Sequence, residues 1–338
     1  MPIYETSIKV LEEALALSTL GEWKRFEAAC YLNLGCVFSC TGQHERSIDC
    51  LKEGLRISKE IGDRQGEGAS LNNLGNVYLA IGQWDKSIEY GEKGLVCFRS
   101  LGNKFGETEA FNHLGSTYSA MGQYESSLDC FSKALEIGKE AGNKYNEARS
   151  YGGIGTVVCS LGNYESEENL KKSIEVFHAI GAERQEAFSY ANLGVTYHAL
   201  PVITKKSVKC QEKTLRIFRE NGNKGDVQGP LAIASLGLLH AVEFQSCKRA
   251  TDFFTESIQS HQNIRGTLED ELKLCLDDKL HSIRSQKMLC FLLVAQGKTE
   301  DALRARAGSR ARRLDDHEVR HQRRGESRGE QNNIEEIF

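Results

Sequence analysis

Apolar residues recur along the chain at helical spacing, and glycines interrupt them at regular intervals. Leu71, Leu74, Tyr78 and Ile81 fall at i, i+3, i+7 and i+10, one face of a helix. Ile88, Leu95 and Phe98 mark a face of the segment that follows. A glycine separates the two segments, so each unit is predicted to be a helix, a tight turn and a second helix.

The chain repeats itself every forty residues. Leu34-Gly35, Leu74-Gly75, Leu114-Gly115 and Ile154-Gly155 keep a spacing of 40, and Phe38, Tyr78 and Tyr118 follow the first three at one offset. Gly42, Gly82, Gly122 and Gly162 form a second series; Gly62, Gly102 and Gly142 form a third, within Gly-Asp/Asn-Arg/Lys. The Gly42 type reads as a residue just past a helix end, in the left-handed conformation that lacks a Cβ penalty only for glycine. The Gly75 type sits inside a helix, where glycine costs about 1 kcal/mol against alanine, so close packing against a neighbouring helix is expected there. A single hairpin cannot bury its apolar face. Stacked hairpins can, which predicts an all-α solenoid.

These residues resemble the tetratricopeptide repeat (TPR) family. Its pattern is matched by Leu114, Gly115, Tyr118, Ser127, Phe131 and Ala134, and by Leu34, Gly35, Phe38, Ser47, Leu51 and Gly54. The forty-residue period exceeds the usual length of about 34. This long variant is similar to the repeats of the Leu-Gly-Asn-rich polarity adaptors and of tetratricopeptide repeat protein 28-like proteins, over roughly residues 3–310. The resemblance implies a TPR-type α-solenoid, a right-handed superhelix of stacked αα-hairpins.

The pattern bends in places. The fifth unit keeps Asn192-Leu193-Gly194 and Tyr197 but arrives one residue early, a loss placed near Glu167–Asn169, and Pro201 stands for its turn glycine. Leu236-Gly237 follows after a Gly229-Pro230 insertion, and Leu289–Leu293 with Gly297 looks like a further first helix. Residues 1–21 read as the second helix of a truncated N-terminal repeat, 22–200 as regular units, 201–303 as divergent units and 304–338 as an Arg-rich disordered tail. Ser7, Leu11 and Ala14 match Ser47, Leu51 and Gly54, so the first helix is expected to expose an apolar stripe suited to self-association. The chain reads as a fragment of a longer array. Its segment from Cys247 to Leu303 resembles the lead into the caspase-like CHAT domain of the repeat protein 28-like group.

Composition narrows the function classes. Lys+Arg 43 against Asp+Glu 47 leaves a net charge of −4, which calls for neither nucleic acid nor an anionic membrane as partner. No apolar run reaches the roughly 20 residues of a membrane span. The N-terminus lacks a secretory signal, and the 11 cysteines contain no CxxC, so a cytoplasmic protein with reduced thiols is expected. His113, His178 and His198 have no partners at catalytic or zinc-ligand spacing, and Cys36 with Cys40 is two ligands short of a tetrahedral site. The glycine doublets follow helices and lack the Gly-Lys-Ser/Thr of a phosphate loop. Acids interleave the arginines after Arg304, which favours a solvated tail over an RNA-binding one. Neither enzymatic activity, metal nor cofactor is expected.

The functional signal is a polar track on the first helices: Asn33 and Cys36; Asn72, Asn73 and Asn76; Asn112, His113 and Ser116; Thr156; Asn192. The resemblance puts these helices on a concave face. Asparagine carries a donor and an acceptor, so a row of them suits the backbone of an extended peptide. They suit stacking contacts between repeats as well, and the two roles can coexist. Ala29, Ala69 and Glu109, with Leu32, Asn72 and Asn112, occupy positions where chaperone-binding relatives place cations, so a receptor for chaperone C-terminal tails is not expected. The expected function is a scaffold that binds a partner segment in this groove, in cell division or signalling. The alternative is a regulatory module of a CHAT protease, detached from its catalytic domain.

Overall fold

The computed structural model describes residues 2–163, 165–199, 204–220, 233–236, 247–266 and 289. The chain divides into two units, Met1–Pro201 and Val202–Phe338. All regular structure among the described residues is helical. In the first unit ten helices follow one another: α1 (Pro2–Leu20), α2 (Lys24–Cys40), α3 (His44–Glu60), α4 (Arg64–Ala80), α5 (Trp84–Ser100), α6 (Lys104–Ala120), α7 (Tyr124–Glu140), α8 (Lys144–Ser160), α9 (Ser166–Ala179) and α10 (Glu183–Ala199). Each packs on the next in the chain. In the second unit the described helices are α11 (Thr204–Glu220) and α12 (Cys247–Gly266), where Leu215, Ile233 and Leu236 form a small core with Val208 and Phe253.

Each turn rests on a glycine, and three of them on a capping residue as well. Gly42, Gly62, Gly82, Gly102, Gly122, Gly142, Gly162 and Gly181 all have positive φ between +62° and +77°, so a side chain at these positions would be strained. After the Gly62 type comes an Asx residue that caps the next helix: Asp63, Asn103 and Asn143 accept from the backbone N–H of Gly66, Gly106 and Asn146 at 3.0–3.1 Å. Gln43, Gln83 and Gln123 make no such side-chain cap. Asn103→Ala is therefore expected to lower stability by about 1 kcal/mol, and Gln123→Ala by a few tenths, in urea denaturation at pH 7.

Inside each hairpin the helical glycine lets the two helices approach. A Cβ on Gly35 would lie 2.5 Å from Leu51 Cγ, and one on Gly155 would lie 2.7 Å from Leu170 Cγ. A buried serine faces each glycine from the second helix. Ser47 and Ser127 donate to the carbonyl oxygens of Gly35 and Gly115, both at 2.7 Å. Ser166 takes this place in α9, fully buried, fifteen residues before the Gly181 turn as Ser47 is before Gly62. The missing residue of that hairpin thus lies ahead of Ser166, within the turn after Gly162, and not at Glu167–Asn169. A turn loses a residue at less cost than a helix, whose whole apolar face would rotate by about 100°.

Helices α2, α4, α6, α8 and α10 also touch one another in succession, which the second helices of the hairpins do not match. The first helices therefore lie on the inner side of this unit. Pro201, the Gly229-Pro230 insertion, the Gly297 turn and residues 304–338 lie outside the described residues.

Candidate peptide-binding groove

The inner face is built by α2, α4, α6, α8 and α10, and the structure sorts the polar track on it into two sets. Asn33 and Asn192 are exposed, and Asn73, Asn76, Ser116 and Thr156 are half-buried. Asn76 donates to the carbonyl of Asn72 at 3.1 Å, Ser116 to that of Asn112 at 2.9 Å, and Thr156 to that of Gly152 at 2.8 Å. Asn192 reaches from α10 to Thr156 Oγ1 on α8 at 3.2 Å and so joins members of the predicted track on two helices.

The second set is internal. Asn112 has no exposed surface: its Nδ2 donates to the Asn146 carbonyl at 3.5 Å, and its Oδ1 accepts from Ser150 at 3.0 Å. It ties α6 to α8. Asn72, its counterpart on α4, is also buried. His113 does not face the groove, contrary to the expectation from its sequence position. It is 1% exposed, and its Nε2 lies 2.9 Å from Ser87 Oγ. The cause is on another hairpin. Leu51 and Phe131 have their counterpart in Gly91, which leaves a hole beside Gly75, and the His113 ring fills it. A Cβ on Gly91 would meet His113 Nδ1 at 2.8 Å, and one on Gly75 would meet Cε1 at 2.4 Å. The swap also runs the other way. Phe131 is large, and opposite it stands Gly153, whose Cβ would meet Phe131 Cε1 at 2.4 Å. Burial pushes the His113 pKa down to about 4, so the ring is neutral at pH 7.

A pocket of about 310 Å³ opens on the inner face between α6, α8 and α10. Ser116, Thr156 and Asn192 line it with Phe131, Phe177 and Phe188, and Arg149 stands at its side. Arg149 continues the series Ala29, Ala69, Glu109, so the groove does hold a cation at that position, one hairpin beyond those from which its absence was expected. Reading the series to its end would have found it. Glu109, also half-buried, has its pKa raised by desolvation, partly offset by the positive charge of Arg149.

A second feature escaped the sequence pattern. Glu27, Glu67, Glu107, Glu147 and Glu186 recur at one position, nearly buried, and the first four pair with Lys24, Arg64, Lys104 and Lys144 three residues earlier. Burial pushes the Glu107 carboxyl up, but hydrogen bonds from Arg99 and Lys104 outweigh it and leave the carboxyl below its usual range. Glu107 accepts from Arg99 on α5, and Glu186 lies 3.0 Å from His178 Nδ1 on α9, so these two bridge a first helix to the second helix before it. Burial raises the Cys36 thiol to about 11, which leaves it a poor nucleophile and metal ligand. No group of three or more metal-ligating side chains occurs among the described residues, and no described helix is long and apolar enough to cross a membrane. At the other end of the unit Val10, Leu17, Leu20, Trp23 and Phe26 are exposed.

Comparison with known proteins agrees with this architecture. The family described as "Tetratricopeptide repeat" matches residues 41–100 and 106–166, the hairpins that hold the regular period. The fold is an α-solenoid of tetratricopeptide type. Among solved structures, BtubC (BKLC) from P. vanneervenii is 18% identical with a TM-score of 0.55, over 67% of this chain and 94% of that one. A Rap protein complexed with Competence and Sporulation Factor is 15% identical, TM-score 0.57, over 82% and 76%. The apo quorum sensor NprR from B. thuringiensis is 13% identical, TM-score 0.54, over 90% and 96%. At such identities these solenoids share the fold alone. No curated protein sequence matches the chain.

Proposed function

We propose that this chain is a cytoplasmic protein-interaction scaffold that binds an extended or helical segment of a partner along the inner face of α2, α4, α6, α8 and α10. The observation that carries the reading is the row of accessible amides and hydroxyls on that face: Asn33, Asn73, Asn76, Ser116, Thr156 and Asn192. Asn112 and His113 hold the stack together beneath it. Two solenoids of the same fold point the same way: one was solved with Competence and Sporulation Factor bound, and the other is a quorum sensor. The resemblance to the polarity adaptors attaches this activity to cell division or signalling. The exposed edge at Val10, Leu17 and Leu20 fits self-association. The protease-module alternative rests on residues 247–303, most of which lie outside the described residues.

A pull-down from lysate tests the reading. The full chain is compared with the Asn33→Ala, Asn73→Ala, Asn76→Ala variant. Each amide bond contributes on the order of 1 kcal/mol, so the triple variant is expected to hold its partners roughly 100-fold more weakly. Circular dichroism should show both folded, because the three side chains reach solvent. Equal recovery of every partner by both chains would place binding on another face.

A further inference from the structure

The pocket beside Arg149 has a composition unlike the rest of the groove. Where sister hairpins carry Leu32, Asn72 and Asn112, the fourth has Gly152; where they carry Asn33, Asn73 and His113, it has Gly153. The two glycines act differently. The space at Gly153 is taken by the Phe131 ring, which brings an otherwise buried aromatic to the wall of the pocket. The space at Gly152 is bounded by no ring: a Cβ there would press only on Ser173 Oγ, at 3.1 Å, with the next atoms at 3.8 and 4.0 Å on Ser173 and Ser189. Phe177 and Phe188 complete an apolar lining on the side of α9 and α10.

Among the described residues that line the pocket, Arg149 is the only charged one. It is half-buried and makes no hydrogen bond or ion pair with the described residues, Glu109 included. The neighbouring donors are partly committed: Gln185 donates to Tyr145 Oη at 3.1 Å, and Asn192 donates to Thr156. A guanidinium left with its five donors beside an aromatic cleft is complementary to a carboxylate carried next to a ring. At about 310 Å³ the space is near the lower end of ligand pockets, which suits one large side chain and not a whole helix.

We propose, on the groove-binding reading above, that this pocket takes one aromatic side chain of an extended acidic peptide, with the adjacent carboxylate paired to Arg149. The ring lies over Gly152 against Phe131, Phe177 and Phe188, and the backbone on either side runs along the amide track.

A synthetic array of random dodecapeptides, probed with the labelled full chain, tests this directly. The native chain is expected to select Phe, Tyr or Trp next to Asp or Glu. Arg149→Gln should lose the preference for the acid and keep that for the ring. Gly152→Leu, which fills the pocket and favours helix, should lose the preference for the ring. Phe188→Ala gives the same readout by removing a wall, should Gly152→Leu disturb the fold. For one selected peptide, Arg149→Gln is expected to weaken binding about 10- to 100-fold in fluorescence anisotropy. Selection of peptides without the ring–acid pair, or preferences that persist in the variants, overturns the inference and leaves the groove reading standing. An array on which the native chain holds no peptide sinks both.

Discussion

His113→Asn alone is expected to lower stability by about 2–3 kcal/mol, whereas Gly91→Leu together with His113→Asn restores it to within about 1 kcal/mol of the native chain. The single change leaves the hole beside Gly75 and Gly91 empty, and the loss is the missing contacts plus the cavity. The double change reproduces the Leu51 and Asn73 arrangement of the preceding hairpin, in which Leu51 lies against Gly35 as the His113 ring lies against Gly75. The pH dependence provides an independent readout. His113 titrates near 4 in the fold and near 6.5 when unfolded, so below pH 6.5 the unfolded chain binds a proton that the folded chain refuses. Its contribution is full above pH 6.5 and is lost as the pH falls toward 4. Between pH 7 and pH 5 this amounts to about 2 kcal/mol, which the double variant should no longer show. Urea denaturation of the three chains at both pH values measures all of it. A double variant as unstable as the single one would mean that His113 is not a volume replacement.

Leu74→Ala is expected to cost about 2–5 kcal/mol and to split thermal unfolding into two steps. Leu74 has no exposed surface and packs with Leu51, Val77 and Tyr78, at the seam between the hairpins on either side of it. In a linear stack each unit touches only its neighbours, so a weakened seam is where the array parts. Val195→Ala serves as the control. Its side chain is 54% exposed on α10, and a change within about 0.5 kcal/mol is expected. Calorimetry that showed a single unshifted transition for Leu74→Ala would contradict the seam assignment.

The two predictions rest on information of different kinds. Leu74 as a core position was legible from spacing alone, because a helix returns to the same face every three or four residues and its buried stripe repeats. The turn glycines were equally legible: a positive φ is a local demand that only the glycine itself must meet. His113 was not legible in this way. Its position aligns with Asn33 and Asn73, yet its burial depends on Gly91, twenty-two residues earlier on a different helix. Asn112 is a similar case, held by Asn146 and Ser150 more than thirty residues later.

Period, helix boundaries, turn chemistry and the stacked all-α architecture were thus set by the sequence alone, because each is a short-range property repeated along the chain. Tertiary structure decided which amides face solvent and which are spent on stacking, since a polar residue at a seam turns inward only where its neighbour leaves room. It also decided that Gly152, Phe131, Phe188 and Arg149 share one pocket. Those four come from three helices, and their meeting follows from how side-chain volumes on successive hairpins trade against one another.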